Sequence, residues 1–414
     1  LSTEILSAAH RRPRIAERIS LPYAVTHPAA AEVQVVNIGD LHLENGELLP
    51  ETQLAYETWG RLNARADNAI LVQHALTGSS HAATGANGAK GWWDTFIGPG
   101  KALDTNTYFV VAANILGGCY GSTGPGSRRP EGWGPARDGL TQWFGQRREW
   151  GSQFPFLTLR DTVRAESRLA DALGISRWHT VIGGSMGGAR ALEWAVTYPE
   201  RVARVAVIAA SASSTAEQIA LARTQVEAIR LDPQFYGGDY YPGPQPRTGL
   251  SLARKIAHVS YRSESELGAR FGRGAQPGER TLGARLQLGR GRYQVESYLD
   301  HQGETLVDRF DANSYIALTE ALMSHDIGRG RGGIQAALGR VGAEVFLAYV
   351  DSDRLYLPEQ TLALADGLNR ARGVADSGDD TRRVSAHRIT SAKGHDGFLT
   401  DIAQLEAPFA RFLA

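Results

Sequence analysis

Along this chain, short continuous apolar runs alternate with stretches in which apolar residues return every three or four positions. The strand-like runs, most of them continuously apolar, are Thr52 to Tyr56, Ala69 to Ala75, Tyr108 to Asn114, Thr180 to Gly183, Val205 to Ala210, Val345 to Tyr349 and Arg383 to Ile389. Such runs predict strands buried on both faces of a parallel sheet. The helical period occupies Leu159 to Leu173, Ala189 to Val196 and Ile402 to Phe412. Alternation of the two predicts an α/β architecture, a mostly parallel central sheet flanked by helices.

The alternation stops after Ser211. From about Ser213 to about Arg340 the periods are helical: Thr215 to Ile229, Gly249 to Val259, Glu264 to Phe271, Tyr293 to His301 and Asn313 to Met323. They predict a helical cap inserted between two core strands, over the C-terminal edge of the sheet, where ligands bind in open α/β folds. The expected division is a mobile N-terminal arm (1–34), a first part of the core (35–212), the cap (213–340) and a second part of the core (341–414). Pro130 to Glu149, rich in Gly, Arg and Trp, and the polar stretch Gly373 to Thr381 read as surface insertions.

Composition then removes several classes. Lys+Arg and Asp+Glu are equal at 44 each in 414 residues, so no global field draws the chain to nucleic acid or an anionic membrane. One cysteine excludes an internal disulfide and fits a reducing, cytoplasmic setting. No apolar run approaches a bilayer span, and Leu1 to Ala30, interrupted by Arg11, Arg12, Arg14 and Arg18, lacks the apolar centre of a signal peptide. The histidines lack the spacing of a metal-binding helix, so no metal is expected.

The chemistry centres on Gly183-Gly184-Ser185-Met186-Gly187, between a predicted strand and a predicted helix. A serine on so sharp a turn is thrust out of the sheet at a helix N-terminus, and the flanking glycines are needed because no Cβ fits beside it. This is how an α/β-hydrolase sheet presents a nucleophile. The hydroxyl needs a base, and the base needs an orienting acid, in the chain order Ser, acid, His. Asp353 follows one predicted strand and His395 another, so Asp353 and His395 are the expected acid and base, with Asp351 competing for the acid role. The oxyanion donors expected are the backbone N–H groups of Met186 and of Leu76, the latter in His74-Ala75-Leu76-Thr77-Gly78.

These residues resemble the homoserine O-acetyltransferase family of α/β-hydrolase-fold enzymes. The resemblance extends over Gly183 to Trp194, His74 to Gly78, Gly91-Trp92-Trp93-Asp94, Gly98 to Ala102, Asn114 to Cys119, Gly121 to Pro125, Gln294 to Leu299 and Gly394 to Leu399. Ser324 to Gly333 is similar to the actinobacterial branch. The resemblance implies acetyl transfer from acetyl-CoA to L-homoserine through an acetyl-serine, in methionine biosynthesis. It implies Arg254 on the substrate carboxylate, Asp396 on its ammonium, a homodimer paired through the caps, and no bound cofactor, acetyl-CoA being a co-substrate. Ser79 stands where many members carry aspartate. The alternatives on the same three residues are a succinyl-CoA-dependent or serine-accepting transferase, an esterase or a thioesterase. Gly328 to Gly333 reads as a flexible return loop with a possible contact to CoA phosphates, and Cys119 as a strand-end residue without a base of its own.

Overall fold

The structure, a computed structural model, describes residues 33–130, 133, 148–282, 290–374 and 383–414. Residues 1–32 of the arm, nearly all of the segment from Pro130 to Glu149, and residues 375–381 of the polar stretch lie outside the described residues.

The strands are β1 (Gln34–His42), β2 (Leu48–Trp59), β3 (Ala69–Gln73), β4 (Ile97–Gly98), β5 (Leu103–Asp104), β6 (Phe109–Ala113), β7 (Trp178–Gly184), β8 (Val202–Ile208), β9 (Glu344–Val350) and β10 (Ala386–Ile389). Eight of them form one sheet in the order β1-β2-β6-β3-β7-β8-β9-β10, and β4 pairs with β5 apart from it. From β6 through β10 every neighbouring pair is parallel, whereas β1, β2 and β6 pair antiparallel. Strand β3, apolar up to its last residue Gln73, lies between β6 and β7 with every side chain buried, as its unbroken Ala-Ile-Leu-Val run requires.

The helices are α1 (Leu159–Ala172), α2 (Met186–Thr197), α3 (Ala216–Arg230), α4 (Arg247–Tyr261), α5 (Glu264–Phe271), α6 (Gln294–Val307), α7 (Ala312–Met323), α8 (Ile334–Leu338), α9 (Pro358–Ala371), α10 (Gly397–Thr400) and α11 (Glu406–Leu413). Side chains of α1, α2, α8 and α9 fill the core on one face of the sheet. Trp93, Phe96, Phe398, Phe409 and Leu413 fill the core on the other. Thr158 caps α1 reciprocally with Asp161, which satisfies otherwise orphaned backbone donors at its start.

Helices α3 to α7 all fall between β8 and β9, and the apolar faces of α3, α4, α6 and α7 build a separate cluster with Met186, Ala189, Ile115 and Tyr120 of the sheet side. By Ile327 the chain has rejoined the core, and Ala337 and Leu338 of α8 pack there too. The Gly328 to Gly333 run is not a loose loop. Arg329 pairs with Glu44 at 2.9 Å and Arg331 with Glu193 at 2.6 Å, so neither guanidinium is free for a CoA phosphate. Three expectations shift in detail. The single helix expected over Ile402 to Phe412 is a short turn at Ile402–Leu405 followed by α11, because Pro408 fits only within the first turn of a helix. Helix α2 starts at Met186, three residues before the expected start. Strand β1 begins at Gln34, inside the expected arm. Among the described residues no helix is long and apolar enough to cross a membrane, and no group of three His, Cys, Asp or Glu could hold a metal ion.

Candidate active site

Ser185 stands between β7 and α2, at the N-cap position, with φ 59° and ψ −128°, a conformation hostile to any side chain that costs on the order of 1–3 kcal/mol. Its surroundings hold it there. Ser185 N–H donates to the Ile208 carbonyl at 2.9 Å, and the Ser185 carbonyl accepts from Ala189 N–H at 3.0 Å. The turn is so tight that a Cβ on Gly187 would lie 2.1 Å from the Gln73 carbonyl oxygen, and one on Gly183 2.4 Å from Gly187. Behind it, buried Arg190 pairs with Glu166, whose carboxylate also accepts from Gln73 Nε2 at 3.0 Å and Trp194 Nε1 at 2.7 Å. That knot fastens α2 to α1 and to the end of β3.

The three strand-end loops bring the expected residues together. Ser185 Oγ lies 2.8 Å from His395 Nε2, and His395 Nδ1 lies 2.6 Å from Asp353 Oδ2. Asp353 Oδ1 accepts from the backbone N–H groups of Leu355 and Tyr356 at 2.8 and 2.9 Å. The carboxylate is thus anchored by three nitrogen atoms, and Asp353 is only 3% exposed. Asp351 does not compete: it faces away, binding Arg388 at 2.6 Å and the Ser391 N–H at 3.0 Å. Burial alone would lower the His395 pKa, but the charge and hydrogen bond of Asp353, with Asp396 nearby, outweigh it and leave the pKa raised. Tyr356 stacks on the imidazole at 5.2 Å, with Phe398 and Tyr261 at 5.2 and 6.0 Å.

The Leu76 turn and the start of α2 sit beside the hydroxyl. The N–H groups of Leu76 and Met186 have no hydrogen-bond partner among the described residues. Ser185 and Leu76 line a pocket whose other walls include Gln218, Leu221, Tyr261 and Tyr356. The walls therefore come from α3 and α4 as well as from the sheet edge.

Residues 68–380 match the family model for the alpha/beta hydrolase fold. A homoserine O-acetyltransferase of Thermobifida fusca is 52% identical over 380 residues, which span 90% of this chain and 91% of that protein. The chain belongs to the homoserine O-acetyltransferase family. Among solved structures, homoserine O-acetyltransferase from Bacillus anthracis superposes with a TM-score of 0.79 at 28% identity, covering 92% of this chain and 97% of that one. A mutant of esterase E22 superposes with a TM-score of 0.78 at 25% identity, covering 92% and 99%.

Two further residues were expected from the family. Arg254 of α4 is partly buried, has no carboxylate partner among the described residues, and lies with its Cζ 5.7 Å from the Tyr261 ring centroid. Tyr261 in turn neighbours His395, so the guanidinium is one ring removed from the base. Asp396 already pairs through Oδ2 with Arg262 at 3.0 Å. Its second oxygen has no hydrogen-bond partner among the described residues. Arg262 also binds Glu266 at 3.0 Å, and so ties the start of α5 to the histidine loop.

Several residues around the site carry no motif. Ser352 Oγ donates to the Ser391 carbonyl and accepts from Gly394 N–H at 3.0 Å, locking the acid loop to the histidine loop. Ser263 Oγ donates to the Ala392 carbonyl from the helical segment. The only sequence cue for either is a small hydroxyl residue in a loop, which is far too common to stand out. Cys119 stays a thiol: burial and the charge of Asp311 both push its pKa up.

Proposed function

We propose that this chain transfers the acetyl group of acetyl-CoA to the hydroxyl of L-homoserine, giving O-acetyl-L-homoserine for methionine biosynthesis. The unbroken hydrogen-bonded line Asp353–His395–Ser185 carries the reading, in a chain of this family. Ser185 Oγ attacks the thioester carbonyl carbon while His395 Nε2 takes its proton. The tetrahedral oxygen faces the N–H groups of Leu76 and Met186. Collapse breaks the carbon–sulfur bond, and the CoA thiolate leaves with the proton from His395. The homoserine hydroxyl then gives its proton to the same nitrogen and attacks acetyl-Ser185; collapse frees the ester and returns the proton to Ser185. Asp353 holds the imidazole in the required tautomer throughout.

Arg254 takes the homoserine carboxylate, for which its planar fork and lack of an internal carboxylate suit it. Asp396 takes the ammonium through the oxygen that Arg262 leaves open. No prosthetic group enters this scheme; acetyl-CoA is consumed as co-substrate. Exposed Leu252 and Val259, seven apart on α4, support a homodimer joined through the helical segment. The setting proposed is the cytoplasm.

Hydrolysis is the second reading, since an esterase shares this scaffold at a TM-score of 0.78. CoA release from acetyl-CoA, followed with and without homoserine, separates the two. Acceleration by homoserine with formation of its O-acetyl ester is expected, and Ser185→Ala abolishes both. Release that is fast and indifferent to homoserine makes the protein a hydrolase. Competing succinyl-CoA and serine in the same assay tests the donor and acceptor.

A further inference from the structure

The turn that carries Leu76 is fixed from several sides, and one of the fastenings comes from the helical segment. Within the turn, the Ala75 carbonyl accepts Gly78 N–H at 2.9 Å. His74 Nε2 accepts Ile115 N–H at 3.1 Å, which places the ring proton on Nδ1, 2.8 Å from the Ala75 carbonyl. The Thr77 carbonyl accepts Arg309 Nη1–H at 2.8 Å. Arg309 lies between α6 and α7, far from this turn in the chain.

Arg309 is itself held firmly. Its Nη1 also donates to Tyr120 Oη at 3.1 Å, and the Tyr120 hydroxyl donates back to the Arg309 carbonyl at 2.7 Å. Burial pushes the Tyr120 hydroxyl well up, so it keeps the proton this exchange needs. Phe310 packs edge-on against Tyr120 at 5.8 Å. Asp311 accepts from the hydroxyls of Tyr240 and Tyr241 at 2.6 and 2.8 Å and caps α7 through Ser314 N–H. Arg309 has no carboxylate partner among the described residues. The partly buried guanidinium thus spends its donors on a main-chain carbonyl and a hydroxyl rather than on an anion, and its own fastening fixes where that carbonyl sits.

We infer that Arg309 is a positioning residue for acyl transfer: by clamping the Thr77 carbonyl it holds the Leu76 N–H on the forming oxyanion. The inference rests on the acetyl-transfer reading. It makes an unusual demand, because the oxyanion forms twice, once on acetyl-CoA and once on acetyl-Ser185. Losing the clamp slows both half-reactions by a common factor. A residue that bound CoA would slow only the first, and one that bound homoserine only the second.

Rapid-mixing kinetics on Arg309→Met and Arg309→Lys reads this directly. The first rate constant is the burst of CoA release without homoserine. The second is decay of the acetyl-enzyme on adding homoserine, followed by intact-protein mass. Arg309→Met is expected to lower both by about 10–100-fold, the scale for a misplaced oxyanion donor. Homoserine KM stays within about twofold, and Arg309→Lys, which keeps a donor and the charge, recovers part of both rates. If Arg309→Met fails to fold, Tyr120→Phe, which removes both hydrogen bonds between that hydroxyl and Arg309, is expected to cost a few-fold equally in both steps. A loss confined to one half-reaction, no loss in either, or equal loss in the Lys and Met variants overturns the inference. If the wild-type protein forms no acetyl-Ser185, the acetyl-transfer reading itself falls and this inference with it. An acetyl-enzyme that forms and turns over normally in Arg309→Met removes this inference alone.

Discussion

His395 acts as a base only when neutral, and its surroundings favour the charged form. Because its pKa in the folded protein is raised, the acid limb of the kcat/KM profile has its midpoint above about 6.5, the ordinary imidazole value. The same shift stabilises the fold by an amount present in full below that ordinary value and lost as pH rises through the folded pKa. Asp353→Asn removes both the charge and the orienting acceptor. It is expected to shift that limb to lower pH and to cut kcat by about 10³–10⁴-fold, the scale of losing the orienting acid in a serine triad. An unshifted limb would show that Asp353 does not set the titration. Ser185 and His395 were legible in the sequence because glycines and strand ends mark them. Asp353 was expected too, but with Asp351 as a rival, since both follow the same strand and only side-chain direction separates them: one meets His395, the other Arg388. Arg309 was invisible for a different reason. It reaches the site from a loop between two helices of the insertion, and no local pattern records a contact with Thr77.

At the scale of elements, the turn between β7 and α2 depends on two backbones approaching more closely than any side chain allows. Gly187→Ala puts a methyl 2.1 Å from the Gln73 carbonyl, whose strand is paired on both sides and cannot retreat. Overpacking of this kind costs about 1–3 kcal/mol, to be read from the denaturation midpoint, and it displaces the hydroxyl, so acetylation slows even in the folded fraction. An unchanged midpoint with full activity would contradict this account. The buried parallel strands were legible because continuous apolar runs leave little other choice. Strand β1 was not, because one of its faces meets solvent and its sequence mixes polar with apolar residues. Its cue was the Asn45-Gly46 turn, where Gly46 adopts φ 91° between β1 and β2. Helix α9 also went unmarked, although Pro358 opens it in the position that proline favours.

For the molecule as a whole, the helical segment is bound to the sheet by buried charge as well as by apolar contact. Glu193, 2% exposed, accepts from Arg331 at 2.6 Å and Arg160 at 3.0 Å, and Arg160 and Arg329 both reach Glu44. Burial raises the Glu193 pKa, but the two arginines and Thr197 more than reverse this, so the carboxylate contributes stability above its ordinary pKa that is lost as pH falls through the lowered one. Glu193→Gln leaves the arginines partly uncompensated and is expected to cost about 3–5 kcal/mol, measurable by calorimetry, with loss of that acid dependence. A variant as stable as the parent would mean that solvent takes over the pairing. The same fastening reaches the histidine loop, where Ser263 holds the Ala392 carbonyl, Arg262 holds Asp396, and the Tyr261 carbonyl lies where a Cβ on Gly394 would stand. The roof of this catalytic chamber is thus bolted to the base it shelters. Lifting that roof would drag on the very loop that carries the imidazole, so any displacement of the cover is felt by the base beneath it.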